Sequence, residues 1–398
     1  MYIAEALSTR LSRSVTPAEV GFPSAEMLPD DFGTRYEDSV DVATETLAQL
    51  WRADVADDPQ ILRVPAHGTA GVAAALSWLV RGYSAVPRTA AGRRVGLPDI
   101  QAFRATVNAF SNLDNAYGGG QARKALVQFL GTEGTALLRG AYSDPVGRQL
   151  HAAVAEATLL AGWTAYDSGV HGAAQRYFIQ ALRLAQEAGD TLLAGSVLDA
   201  MSHQATFLRR HREAVDLARA ARTGTQGKAT ATLSAHFYAM EARALACGGD
   251  ARGSLSALSE ASRLFEQRRP GDDPDWIAYF DEAELNAEFS HCLRDLGRHR
   301  EAAMYASESL TNAGASTRSD FFVSMVLASG HAGQGNPEAA FRAAGEALTA
   351  GLSLKSARCL DYVRHFRSLI VPFEECSAAK EFIESFAENE MWVLSAQR

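Results

Sequence analysis

A small residue returns five times in the second half of the chain, at Ala174, Ala214, Ser254, Ala302 and Ala340, in steps of 40, 40, 48 and 38 residues. Five residues before each stands Gly169, Arg209, Gly249, Gly297 or Gly335, and seven after each stands Ala181, Ala221, Ala261, Ser309 or Ala347. Self-similarity at this period marks a supersecondary unit that cannot bury its apolar face alone and stacks on its neighbours. Pairs of helices meet that requirement when small residues stand where the two helices cross.

The spacing predicts an all-α solenoid of tetratricopeptide-like helical hairpins wound as a right-handed superhelix. In that repeat a Gly or Ala stands at position 8, Ala at 20 and 27, and an aromatic or aliphatic residue at 24. Gly162, Ala174, Phe178 and Ala181 fill these positions in repeat one, Ala242, Ser254, Leu258 and Ala261 in repeat three, and Ala328, Ala340, Ala344 and Ala347 in repeat five. The long step before repeat four comes from an insertion at 267–276 containing RRPGDDPDW.

The chain has 398 residues, of which 47% are hydrophobic and only 12 are proline, a balance that favours helix and supplies ample core. A formal net charge of −9 disfavours wholesale nucleic-acid binding. Cys247, Cys292, Cys359 and Cys376 form no CxxC, which argues against a zinc site or disulfide framework and for a reducing, cytoplasmic setting. No apolar run approaches the length of a membrane span.

Five segments follow. Residues 1–22 read as an N-terminal helix at 2–13 and a second start at Thr16-Pro17. Residues 23–97 carry helices at 38–53, with Val42, Leu47, Leu50 and Trp51 inward, and at 68–80, with Leu76, Leu79 and Val80 inward; a basic linker follows at 81–97. Residues 98–150 form a hairpin whose turn holds Gly118, Gly119 and Gly120; YGGGQARKAL lacks the GxxxxGK[ST] of a phosphate loop, so a helix–helix turn is expected. Residues 151–350 are the five repeats, and 351–398 close the array with helices at 355–370 and 377–394.

If positions 2, 5, 9 and 12 of each first helix line the concave face, the candidate groove residues are Trp163, Tyr166, Asp199, His203, His236, Arg243, His291 and Arg294. Such a surface suits an extended peptide or a partner helix with acidic character, with Arg243 and Arg294 clamping a carboxylate. The competing reading has Trp163 and Tyr166 packing on the next repeat and the three histidines hydrogen-bonded within the fold rather than ligating metal. The acids at Asp272, Asp273, Asp275, Asp281 and Glu282 lack EF-hand spacing and read as a solvated loop with helix N-terminal acids.

Segments including YIAEALSTRLSRSVTPAEVGF, TLAQLWRAD, NLDNAYGGGQARKALVQFL, AQRYFIQALRLAQEAGD, RRPGDDPDWIAYFDEAELNAEFSHCLRDLG and KSARCLDYVRHFR resemble a group of actinobacterial regulators that negatively control sporulation and antibiotic production. The resemblance implies an N-terminal helix-turn-helix domain ahead of tetratricopeptide repeats. Here residues 2–13 correspond only to that domain's last helix, so DNA binding is expected only of a longer form with upstream helices.

No GxSxG, HExxH, GxGxxG, CxxC or P-loop is present, and Ser202 and His203 diverge by about 100° on a helix. The expectation is a cytoplasmic regulator without catalytic, cofactor or metal residues, binding a protein or peptide and affecting transcription. The alternatives are a DNA-binding repressor in a longer form and a signalling-peptide receptor. A homodimer through a terminal helix pair is a further expectation.

Overall fold

The structure, a computed structural model, describes residues 10–11, 29–81, 93–269, 271–312 and 316–397. Most of the 2–13 helix, the Thr16-Pro17 start and 82–92 of the linker lie outside the described residues. Among those described the fold is all-α, and its one isolated β-bridge joins Arg94 to Ala141.

Ahead of the first long hairpin stand α1 (Val40–Val55), the single turn α2 (Pro59–Leu62) and α3 (Ala70–Val80). The hairpin is α4 (Leu97–Tyr117) and α5 (Gly119–Phe129), the latter running through a π turn at Leu130–Gly134 into α6 (Thr135–Leu138). The array follows as five pairs: α7 (Asp144–Asp167) with α8 (His171–Ala188), α9 (Thr191–Phe207) with α10 (His211–Gly224), α11 (Ala231–Cys247) with α12 (Ala251–Phe265), α13 (Glu282–Asp295) with α14 (His299–Asn312), and α15 (Thr317–Gly333) with α16 (Pro337–Ala350). Each helix packs on its hairpin partner, and successive first helices also touch. At the C-terminal end stand α17 (Ala357–Ile370), α18 (Ser377–Ser385) and α19 (Glu390–Leu394), so the 377–394 segment is two helices broken at Phe386, not one.

The repeat register is physical. Ala174, Ala214, Ser254, Ala302 and Ala340 are fully buried where the paired helices cross. The residue five before each is in the left-handed region, at φ +79° for Gly169, +61° for Arg209, +82° for Gly249, +71° for Gly297 and +73° for Gly335. That conformation turns the first helix into the second, and glycine adopts it without a Cβ penalty. Only repeat two pays that penalty, at Arg209. Arg209→Gly is therefore expected to raise stability, by up to about 1 kcal/mol, in urea unfolding.

In repeats one, two and four, positions 8 and 24 compensate in volume. A Cβ at Gly162 would stand 2.3 Å from Phe178 Cε1. In repeats two and four, where position 24 is Ala218 or Ala306, position 8 is serine, and both hydroxyls bond backbone carbonyls, Ser202 to Ala214 at 2.8 Å and Ser290 to Ala287 at 2.7 Å; in repeat five both positions are alanine, Ala328 and Ala344. Gly162→Ala should cost about 1–3 kcal/mol by overpacking, and adding Phe178→Leu should restore most of it in a double-mutant cycle of urea midpoints.

The N-terminal helices lie against the second helices of repeats one and two, so one hydrophobic cluster runs from Leu47 to Leu285 and another from Ala287 to Trp392. Leu47, Leu50 and Trp51 are buried as expected, but Val42 is exposed, about 100° round the helix from Ala43 and about 140° from Leu47. In α3 the expected face is reversed: Leu76, Leu79 and Val80 are exposed, and Gly71, Ala74, Ala75 and Trp78 face inward. Both faces are apolar, and the smaller one wins because it lets α3 approach α10, where a Cβ at Gly224 would lie 2.0 Å from the Trp78 ring.

That approach buries Glu213. Its Oε2 has no hydrogen-bond partner among the described residues, Arg210 is 3.7 Å away, and burial raises its carboxyl pKa to about 7. The folded protein thus holds this proton at a pH where the unfolded chain has lost it, so stability is lost as pH rises through about 7. Glu213→Gln should raise stability at pH 8 by roughly 1–2 kcal/mol and leave it nearly unchanged at about pH 4, below the ordinary carboxyl value, read as the shift in urea midpoint.

Candidate functional site

The register aligns the eight predicted residues along the first helices α7, α9, α11 and α13, and the structure joins them into one inner face. Tyr166 Oη is 3.0 Å from His203 Nδ1. His236 Nδ1 is 2.9 Å from Asp199 Oδ2, and its Nε2 is 3.3 Å from Tyr279 Oη. Arg243 reaches Glu288 at 3.1 Å, Arg294 reaches Asp295 at 2.7 Å, and His291 Nδ1 is 3.3 Å from Tyr362 Oη. Trp163 stacks at a tilt on Tyr166 and meets His203 edge-on. Tyr166, Asp199, His236 and His291 are buried, while Trp163, His203, Arg243 and Arg294 keep partial exposure.

The contacts of Tyr166 with His203, Asp199 with His236 and Arg243 with Glu288 run from one first helix to the next, and each gives a buried polar group a partner. Burial, followed by the nearby arginines, holds His203 and His291 well below the ordinary histidine pKa, so both are neutral hydrogen-bonding partners of tyrosine. Burial alone would do the same to His236; Asp199, with Glu288 and Glu284 beyond it, outweighs burial and shifts His236 upward. The histidines thus act within the fold. Among the described residues no group of three or more His, Cys, Asp or Glu could hold a metal ion.

The expected carboxylate clamp is already occupied, since Arg243 and Arg294 each hold a protein acid. The inner face is also pinched rather than open from end to end. The Arg358 guanidinium of α17 lies 4.8 Å over the Tyr166 ring and 4.4 Å over that of Phe322, so the last layer reaches the first.

The pinch is anchored beside it. Asp167 Oδ2 accepts from Gly119 N at 2.9 Å, and its Oδ1 accepts from Ser356 Oγ at 2.9 Å. Arg318 donates to Asp114 at 2.8 Å and lies 3.7 Å from Asp167; Arg358 lies 3.8 Å from Asp167. The three glycines belong to this junction. Gly120 N donates to Lys355 O at 3.0 Å, Lys355 N donates to Tyr117 O at 2.7 Å, and a Cβ at Gly119 would meet Thr164 O at 2.5 Å. The turn is glycine because two backbones pass against it.

Sequence reasoning did not find Asp114, Asp167, Tyr279, Glu288, Arg318, Arg358 or Tyr362. Glu288 had a signal, one turn beyond Glu284 on the same helix face. Arg318, Arg358 and Tyr362 meet their partners only because the layers curve back on one another, and repeat register carries no such information. Elsewhere a cleft of about 440 Å³ is lined by Leu97, Ile100, Gln101, Arg104 and Arg148 among others, and it shares none of the eight predicted residues. Arg104 there is paired with Glu156 at 2.8 Å.

No protein-family model matches the chain, and no curated protein matches it. Among the described residues no helix is long and apolar enough to cross a membrane.

Proposed function

We propose that the chain is a non-catalytic regulatory protein of the cytoplasm whose inner face binds a short peptide or the tail of a partner protein, and that this binding adjusts transcription in the sporulation and antibiotic setting that the resemblance implies. One observation carries the reading: side chains from four successive first helices share a face on which Trp163, His203, Arg243 and Arg294 remain partly exposed. Aromatic, imidazole and guanidinium groups held on rigid helices are the means by which helical arrays recognise chain segments. The pinch at Tyr166 and Arg358 shortens the available surface, which favours a short segment over a long helix.

A random-peptide library selected against the full chain tests this. Selected peptides should lose about tenfold or more in affinity for Trp163→Ala, with the fold of the variant checked by circular dichroism. Undiminished binding to that variant and to Arg243→Ala would refute the inner-face assignment.

A further inference from the structure

We propose that the inner face between α9, α11 and α13 recognises a cationic group, an ammonium or guanidinium on the bound peptide. The inference rests on the peptide-binding reading above and reverses the ligand charge expected from Arg243 and Arg294.

Four arginines around the inner face each face an acid: Arg243 faces Glu288, Arg294 faces Asp295, Arg318 faces Asp114 and Arg358 faces Asp167, while Arg209, in the turn after α9, donates to Cys247 Sγ at 3.2 Å. His203 and His291 are held neutral. Among the described residues, none of these four arginines is left free for a ligand carboxylate.

The acids are less well matched. Asp199 is 3% exposed; its Oδ2 meets His236, and its Oδ1 is buried with no hydrogen-bond partner among the described residues. A buried carboxylate oxygen without a donor is an unmet demand for one. Glu284 also feels His236 and stands half-buried on α13; no donor among the described residues bonds its carboxylate. Glu288, one turn on, adds a third carboxylate. Arg243 faces Glu288 and the His236 imidazole faces Asp199, which leaves Glu284 as the acid without a donor among the described residues and gives the cluster room for a cationic group.

Tyr279 completes the site. Its ring meets His236 edge-on, yet the residue is 55% exposed, so an aromatic surface opens to solvent beside the carboxylates. Carboxylate oxygens seeking donors beside an aromatic ring are the chemistry that takes an ammonium or guanidinium. Burial, then Glu288, pushes the Glu284 carboxyl up to about 7, the response of an acid lacking a cation.

The experiment uses the full chain with fluorescently labelled tri-lysine and tri-glutamate as probes, read by anisotropy. Tri-lysine should bind saturably and tri-glutamate should not. Glu284→Gln should weaken tri-lysine about tenfold, whereas Glu338→Gln, an exposed acid on α16, should leave it unchanged. Absence of saturable tri-lysine binding, equal loss in both variants, or no loss in Glu284→Gln would overturn the cation site. Tri-glutamate binding abolished by Arg243→Ala would overturn it while leaving inner-face peptide recognition standing. Failure of both probes and of all library peptides to bind would overturn both readings.

Discussion

Asp167→Ala is expected to destabilise the protein by about 3–5 kcal/mol, read as a lowered urea midpoint, the largest loss among the substitutions considered. Asp167 is 1% exposed, and four groups converge on it: Gly119 N, Ser356 Oγ, Arg318 and Arg358. Removing the carboxylate leaves Arg318 with Asp114, but Arg358 loses its acid. The Arg358 Nε already has no hydrogen-bond partner among the described residues, so the buried guanidinium would retain mainly the rings of Tyr166 and Phe322. An uncompensated buried charge costs far more than the pair contributes, because desolvation has been incurred and nothing offsets it. Arg364→Ala, which breaks an exposed pair with Asp361, should cost no more than about 1 kcal/mol. A comparable loss in the two variants would mean that Asp167 does not hold the first and last layers together.

How much of this was legible depended on range. The crossing residues were legible because a helix pair must place small groups at fixed offsets, and Ala174 through Ala340 obey that rule in phase. The turn glycines were legible for the same reason, and the pattern even marked Arg209 as the member that breaks it. The α3 face was misread because both faces are apolar, and side-chain size suggested the opposite of what close helix approach selects. The pairing of Arg243 with Glu288 was half legible, since both face one way but belong to different repeats. The Asp167 junction was not legible: it joins residues 114–119 and 167 to 318 and 355–358, and nothing local in either stretch specifies the other.

The cover over the outer face was equally hidden, and it leads to the second large effect. The second helix of a repeat ordinarily shows one side to solvent, yet α8 is buried almost all round, including Gln175, Arg176, Gln180 and Arg183. These four polar residues face an irregular strand of chain whose backbone has no helix or sheet to satisfy it. Gln175 exchanges two hydrogen bonds with the His67 backbone at 2.7 Å, Gln180 donates to Gly33 O at 3.0 Å and Arg35 O at 2.9 Å, and Arg183 donates to Glu37 O at 3.0 Å. Arg176, wholly buried, donates to Phe32 O at 2.7 Å, Gly172 O at 2.8 Å and Asp30 O. Asp30 and Asp31 also favour its charge, but burial dominates and lowers its pKa. Arg176→Met keeps much of the volume and removes three charge-assisted bonds. Each stranded carbonyl costs about 1–3 kcal/mol, offset in part by no longer desolvating a guanidinium, so a net loss of roughly 3 kcal/mol is expected. The loss should be local as well as global: trypsin should cut at Arg35 faster in Arg176→Met than in the parent under native conditions, while sites in α12 to α14 keep their protection. Unchanged cleavage at Arg35 would mean that the carbonyls of 30–33 are held by something other than α8, and that the outer cover does not depend on this arginine.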